Sequence, residues 1–466
     1  RSADVPGYND LNGKSDAYLV KTDCMGNIEW QFCRGGEQND FFRDVVQTND
    51  GGYLAVGCKE VGSFVFVHVA KVSAQGHLQW EESYEGAGRS DAFSLVGTED
   101  GNYCITGYVC DAGFSELSGL ASKKLSTGVD GFVLKISGTG QPLWLKYYGG
   151  NGIDHLYDII ESHGSLICVG YTRSTNLNNH YHGMADGWVI KSNSSGTLQW
   201  QRAIGGSRND YFSTFCIRLI NGQERYEIVG KTQSNDGDTS GYHGSYDGYL
   251  VSIDPSGSTL YNTMCIGGTD NDELVNVTTI LDNGLMLIGY AVSRDGCLSE
   301  AYGNGPGWLV RVDSQAQMLW QKRLYNINSG GCICGTDDGG YVLTGLNQNI
   351  NQVYGPLAES NFILTKLSPE GVMEPFFMGM SFAQQSPQAV GTPIAVNGVS
   401  NLDNAEYRFL CYDESGTETV LGDWGTDDGV EWIPEAAGTY MIKALARAPG
   451  HPQYIETDTF RYIIND

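Results

Sequence analysis

An all-β fold assembled from a repeating unit is predicted by three features of the 466-residue sequence. A glycine recurs in matching turns as Gly26, Gly76, Gly140, Gly196 and Gly257, with Ala316 in the same place and then Gly371, at intervals of 50, 64, 56, 61, 59 and 55 residues. Four residues further on stands an aromatic, Trp30, Trp80, Trp144, Trp200 and Tyr261, with Trp320 four after Ala316; the last copy lacks it. Each unit alternates apolar and polar positions with a period of two and shows no helical periodicity, so it reads as four short strands. A unit of about 55 residues is the size of a β-propeller blade, and radial repetition of such blades leaves only short sheet edges. The predicted architecture is a β-propeller over residues 1–376 followed by an immunoglobulin-like β-sandwich over residues 377–466.

In the first copy, strand c runs from Ala17 to Thr22 and strand d from Ile28 to Cys33. After the Gly35-Gly36 corner and Asp40, strand a covers Asp44 to Thr48, and Asn49-Asp50-Gly51-Gly52 turns the chain into strand b, Tyr53 to Gly57. Glycine accepts the positive φ that such a tight hairpin requires. The same hairpin returns at Asp100-Gly101, Asp282-Asn283-Gly284 and Asp337-Asp338-Gly339-Gly340. The recurring tryptophan is expected to wedge between neighbouring blades. Seven c–d hairpins begin near residues 16, 64, 130, 186, 247, 306 and 361, against six a–b hairpins between them. The opening RSADVPGYND matches a b–c loop such as residues 171–183, so the chain starts within a blade. A seven-bladed ring with one incomplete blade is the first expectation. A six-bladed ring with a displaced hairpin is the alternative, and completion by another chain through strand complementation is a third.

From about residue 386 the alternation changes. SPQAVGTPIAV, AEYRFLCYDESG, VEWIPEAAGTYMIKALAR and YIETDTFRYIIND read as about seven strands of an antiparallel sandwich. Gly438-Thr439-Tyr440 sets a tyrosine at an edge corner.

With 55 acidic against 28 basic residues the formal charge is −27. That balance argues against nucleic acid and anionic membranes, both of which need clustered Lys and Arg. No apolar run has the length of a membrane helix, and no secretory leader is present in the sequence. The twelve cysteines are scattered singly with no CxxC pair, which supports neither a zinc ribbon nor a thioredoxin-type motif.

The D-G-hydrophobic-hydrophobic-x-Lys strand, the x-x-G-x-x-x-W turn, the G-G-x-x-x-D corner and the D-G-G-Y hairpin resemble the glycine- and aspartate-rich β-propeller repeats of large secreted or cell-surface proteins of bacteria and archaea. Residues 380–466 resemble the triple-tyrosine immunoglobulin-like modules of clostridial surface proteins, through SPQAVGT, YRFLCYDESG and W-x-P-x-x-A-G-T-Y. The resemblance implies architecture and an extracellular or cell-surface location. It does not choose a function, since one fold serves enzymes, lectins and scaffolds alike.

In an up-and-down blade the b–c and d–a connections share one face. The b–c loops are long and uneven, and long loops grouped on a rigid scaffold are where binding resides. They carry Tyr181, His182, Tyr242, His243 and Tyr302 as candidate ligand-binding residues, by stacking on sugar faces and hydrogen-bonding hydroxyls. The competing reading is that these rings only pack the loops down. At the d–a corner, Asp40, Asp91, Asp154, Asp210 and Asp272 stand just before the inner strand, and a ring of such oxygens suits Ca²⁺. Against this, an Asp at a turn commonly accepts backbone hydrogen bonds of its own turn. Asn235-Asp236-Gly237-Asp238 lacks the Glu of an EF-hand. No G-x-S-x-G and no ordered Ser, His and Asp set occurs.

These features predict a non-enzymatic, adhesin-like surface protein that binds a glycan or an extracellular protein through the long-loop face. A structural subunit of an extracellular assembly, joined to further copies of itself, is the alternative, and a polysaccharide-active enzyme the second alternative.

Overall fold

The computed structural model describes residues 15–23, 26, 28–86, 88–110, 113–121, 128–177, 181–280, 282–300, 306–324, 329–336, 339–347, 361–368, 377–382, 384, 386–400, 405–447, 455–456 and 460–465. These residues form strands throughout, with 3₁₀ turns at Ser115–Leu117 and Gly296–Glu300 and no α-helix among them. The chain divides into two compact units. One comprises Arg1–Gly335, Thr344–Gln348 and Glu359–Ile363, the other Thr336–Leu343, Asn349–Ala358 and Leu364–Asp466.

Five antiparallel four-stranded sheets follow one another in the first unit, each with its strands a, b, c and d paired in chain order like the blade of a propeller. Blade 1 is Asp40–Gln47, Tyr53–Val61, Phe64–Val72 and Leu78–Tyr84; blade 2 is Ser90–Gly97, Tyr103–Val109, Asp130–Ile136 and Pro142–Tyr148. Blade 3 is Asp154–Ser162, Ser165–Thr172, Asp186–Asn193 and Leu198–Ile204; blade 4 is Asp210–Ile220, Gln223–Thr232, Asp247–Ile253 and Leu260–Ile266. Blade 5 is Asp272–Thr279, Leu285–Ala291, Gly307–Val312 and Met318–Leu324. The hairpin Ala17–Thr22/Ile28–Arg34 precedes blade 1, and a three-stranded sheet, Ser329–Gly335, Tyr341–Asn347 and Asn361–Leu367, follows blade 5.

The seventh c–d hairpin expected near residue 361 is a correction. Among the described residues Asn361–Leu367 is the last strand of its sheet, and the next strand, Phe377–Phe382, pairs with Ile394–Ser400 instead. Phe382 packs on Tyr462 with ring centroids 5.1 Å apart, whereas the seventh copy has no tryptophan to seat on a neighbouring turn. The sandwich core thus offers this strand more apolar contact than a blade edge does. The segment 1–10, read as part of a b–c loop, lies outside the described residues.

The tryptophans pack between blades. A Cβ added to Gly140 or Gly257, whose φ values are +80° and +74°, would fall 2.8 Å from the Trp80 ring and 2.7 Å from the Trp200 ring of the preceding blade. Trp200 Nε1 also donates to Pro255 O at 3.1 Å. The turn glycine therefore serves both the positive φ and the seat for the ring. Trp200→Ala is expected to lower stability by about 2 kcal/mol, because the ring is half-buried and its loss leaves an unfilled seat; urea unfolding measures it. The strand-c cations brace the a–b hairpins, with Lys71 Nζ 3.0 Å from Asp50 and Lys135 Nζ 2.6 Å from Asp100.

Strand a of each blade carries a β-bulge two residues after its start, following Phe42, Ala92, Leu156, Phe212 and Leu274. The bulge turns the next polar side chain toward the neighbouring sheet. Asp44 Oδ2 accepts the Leu95 N–H at 2.9 Å, Asp158 Oδ2 that of Phe215 at 3.2 Å, and Asn276 Oδ1 that of Ile333 at 3.2 Å. Successive a strands are stitched side by side by these bonds, which makes them the inner strands.

The second unit contains two sheets. Phe377–Phe382, Ile394–Ser400 and Gly429–Trp432 form one; Gln388–Ala389, Phe460–Asn465, Gly438–Arg447, Glu406–Tyr412 and Glu418–Gly425 form the other. Ile394, Val396, Phe409, Trp432, Ile442 and Tyr462 from both sheets share one buried core. Tyr440 donates its hydroxyl to Ala436 O at 2.9 Å, tying the strand back to the corner before it.

Candidate ligand-binding site

The d–a corners fix the floor of the long-loop face. Asp154 Oδ2 accepts Gly150 N–H at 2.9 Å and the Ser174 hydroxyl at 2.7 Å, while Oδ1 takes the Thr172 hydroxyl. Asp210 repeats this with Gly206 at 2.8 Å, Ser234 at 2.9 Å and Thr232. Asp272 accepts from Gly268, Val292 and Ser293, and Asp40 from Gly36 and Glu60. All four are at most 1 % exposed. Each carboxylate is used by its own corner, and burial raises the pKa of Asp40, Asp154 and Asp210.

Asp91 is a correction to the proposed ring. It pairs with Tyr108, as Phe41 pairs with Cys58, His155 with Tyr171 and Tyr211 with Lys231; the equivalent of Asp40 in blade 2 is Ser90, whose hydroxyl bonds Val65 O at 3.0 Å. One residue of register moves a strand side chain to the opposite face. Asp91 accordingly meets Arg43 Nη2 at 3.0 Å instead of a corner. The aspartates thus do not converge, and no cluster of three or more His, Cys, Asp or Glu suited to a cation occurs among the described residues.

The rung that Asp91 occupies is the more informative one. Between blades 2 and 4 it brings aromatic side chains together at the long-loop end of the inner strands. His155 lies between Tyr108, stacked at 4.2 Å, and Tyr171 at 4.9 Å. Phe93 meets Tyr157 edge-on at 4.9 Å, Tyr171 meets Tyr211 edge-on at 4.9 Å, and Tyr211 reaches Tyr246 at 6.4 Å. Each of these rings is half-buried, neither sealed in a core nor fully in water. Burial drives the His155 pKa down to about 4, with the Arg173 charge adding to it. The imidazole is therefore neutral at physiological pH, and its Nδ1 is buried without a hydrogen-bond partner.

Cations edge this arc. Arg43 lies 5.4 Å from the Phe41 and Phe93 centroids. Lys231 lies 5.1 Å from that of Tyr246 and pairs with Glu273 at 2.6 Å. The exposed Arg173 lies 6.0 Å from the Tyr171 centroid and donates to the Tyr211 hydroxyl at 3.3 Å. Polarised aromatic faces and fixed donors of this kind suit the apolar faces and hydroxyls of a pyranose.

The loop residues expected to bind ligand are distributed differently. Tyr181 stands within electrostatic reach of Arg173 at the edge of the arc. The His182 backbone N–H bonds Asp186 Oδ2 at 2.6 Å, and His243 bonds Asp247 Oδ2 through both its N–H, at 2.9 Å, and its Nδ1, at 2.8 Å. Tyr242 turns its hydroxyl back to Ser245 O at 3.2 Å. Both histidines thus anchor the start of a strand c. Tyr302 lies outside the described residues. A separate cleft of about 410 Å³ on the short-turn face is lined by His163, Gln223, Glu224, Asp254, Pro255 and Tyr261. Its acids are already engaged, Glu224 by Ser162 and His163 and Asp254 by its own turn.

No protein-family model matches the chain. The chain is 29% identical over 245 residues to the regulatory protein FlaEY of Caulobacter vibrioides, covering 44% of this chain and 25% of that protein, so it spans about a quarter of that relative. Among solved structures it is similar to the extracellular domain of a protein described as a hybrid two-component system of B. thetaiotaomicron, at 10% identity and a TM-score of 0.40, over 98% of this chain and 55% of that one. It is also similar to the Synechocystis apocarotenoid oxygenase, at 12% identity and a TM-score of 0.38, over 71% of this chain and 69% of that one.

Proposed function

We propose that this chain is an extracellular carbohydrate-binding protein, built as a seven-bladed propeller with one incomplete blade and an immunoglobulin-like sandwich, that holds a glycan on the aromatic arc of its long-loop face. The observation carrying this reading is the run of half-buried rings Tyr108, His155, Tyr171 and Tyr211, contributed by three consecutive blades. Core aromatics would be sealed, and loop-packing aromatics would lie in the loops; these lie on strands, at the open end. Strand-borne rings are held in place before a ligand arrives, so little ordering free energy is spent on binding. The likeness to an extracellular domain is in keeping with the location, and the likeness to an oxygenase keeps catalysis within the range of folds of this kind.

Tyr171→Ala and Tyr211→Ala are each expected to weaken glycan binding about tenfold, since stacking and cation-π contacts of this type contribute roughly 1–2 kcal/mol apiece. A glycan array followed by calorimetry on its hits tests this, with thermal unfolding of each variant as the control for folding. An array without hits for the wild-type protein would sink the reading, and so would hits whose affinity ignores both substitutions.

A further inference from the structure

The rim charge of the arc narrows the ligand, on the premise that the arc binds a glycan. Acids outnumber bases almost two to one in this chain, and its exposed guanidiniums are commonly answered by a carboxylate. Arg34 pairs with Glu81 at 3.1 Å, Arg43 with Asp91 at 3.0 Å and Arg447 with Glu406 at 2.7 Å. Arg173 is the exception on the long-loop face. It is exposed, makes no ion pair among the described residues, and directs a guanidinium nitrogen to the Tyr211 hydroxyl while flanking the Tyr171 ring. An acidic chain that leaves a cation unanswered above its aromatic platform presents a single positive point in a negative field. A guanidinium offers two parallel N–H donors that match a carboxylate in the plane.

We infer that the glycan bound at this arc is acidic, with a sugar carboxylate received by Arg173 and the ring of the same residue lying on Tyr171 and Tyr211. The surrounding charge sets the specificity by repulsion as well as attraction. A polymer of dense negative charge is held off by a −27 protein everywhere except at this point, so the site selects a single uronate-type residue in register with the two tyrosines.

The test compares an oligogalacturonate with a galacto-oligosaccharide of the same length, by calorimetry at low and at high salt. The acidic oligomer is expected to bind the wild-type protein about tenfold or more tightly than the neutral one, as charge-assisted hydrogen bonds require. Arg173→Ala should abolish that preference while leaving the neutral oligomer's affinity unchanged. Arg173→Lys should restore only part of it, and salt should weaken the acidic ligand alone. Tyr171→Ala should weaken both ligands. Equal binding of the two oligomers to the wild type, or a preference that survives Arg173→Ala, overturns the acidic assignment and leaves glycan binding standing. Binding of neither overturns the assignment and the glycan reading together.

Discussion

Gly205→Ala is expected to destabilise the propeller-like unit by about 4 kcal/mol, adding the cost of overpacking to that of a broken buried hydrogen-bond set. The added Cβ would fall 2.5 Å from Asp210 Oδ2 and 2.9 Å from Asp186 Oδ1, between two carboxylates that are both fully buried. Neither can retreat. Asp210 is held by Gly206 N–H and the Thr232 and Ser234 hydroxyls, and Asp186 by His182 N–H. The same geometry recurs at Gly149, between Asp130 and Asp154, and at Gly267, between Asp247 and Asp272. The glycine of this corner is therefore required by the paired carboxylates beside it. The companion variant Gly138→Ala, at a turn glycine with nothing within 4 Å of the added Cβ, should change stability by no more than about 0.5 kcal/mol. Urea unfolding of both variants measures the contrast, and an equal effect would refute the account of the corner.

That corner also explains what the sequence could and could not disclose. The period, the turn glycine, the wedge tryptophan and the D-G-G-Y hairpin repeat because every blade needs them, so each was readable from spacing alone. The rung above the corner does not repeat. Its strand-a members are Phe41, Asp91, His155, Tyr211 and Glu273, five residue types at one structural position. A binding surface built where copies differ leaves no periodic signal, and its members lie far apart in the chain, as Tyr108 and His155 do. What register there was could mislead. Asp91 looks like one more corner aspartate, yet it is a single residue out of step with Asp40, and only strand pairing reveals Ser90 as the true equivalent. The histidines of the b–c loops attracted a ligand role because the sequence showed their polarity but not their partners, Asp186 and Asp247. The hairpin expected near residue 361 failed for a related reason: strand c is legible, but which sheet takes the following strand depends on the sandwich core.

Stability should rise as the pH falls from 8 toward 5, the reverse of the usual behaviour of an ion-paired acidic protein. Burial, with repulsion from Asp210 and Asp238, raises the Asp186 pKa to about 7, and burial raises that of Asp44 to about 6. In the unfolded chain an aspartate ionises near pH 4. Between those values the folded protein keeps a proton that the unfolded chain has lost. A raised folded-state pKa therefore contributes stability that is full below about pH 4 and lost as the pH climbs through about 6 to 7. For Asp186 the change across this window is roughly 3 kcal/mol. Opposed to it, Asp50 and Asp100 have depressed pKa values, held down by hydrogen bonds and by Lys71 and Lys135. Their support is present above about pH 4 and lost on further acidification, so the profile should peak near pH 4 to 5. The proton explains the one oxygen of Asp186 left without a partner, Oδ1, which faces the Gly205 corner alongside Asp210 Oδ2. Asp186→Asn places an N–H where the acid would carry its proton, and still accepts from His182. That variant should be more stable than the wild type at pH 8 by about 2 kcal/mol, equal to it near pH 5, and flatter between. Urea midpoints of both proteins at half-unit pH steps measure this, and a wild-type profile that is level or rising from pH 5 to 8 would exclude a shared proton at the corner.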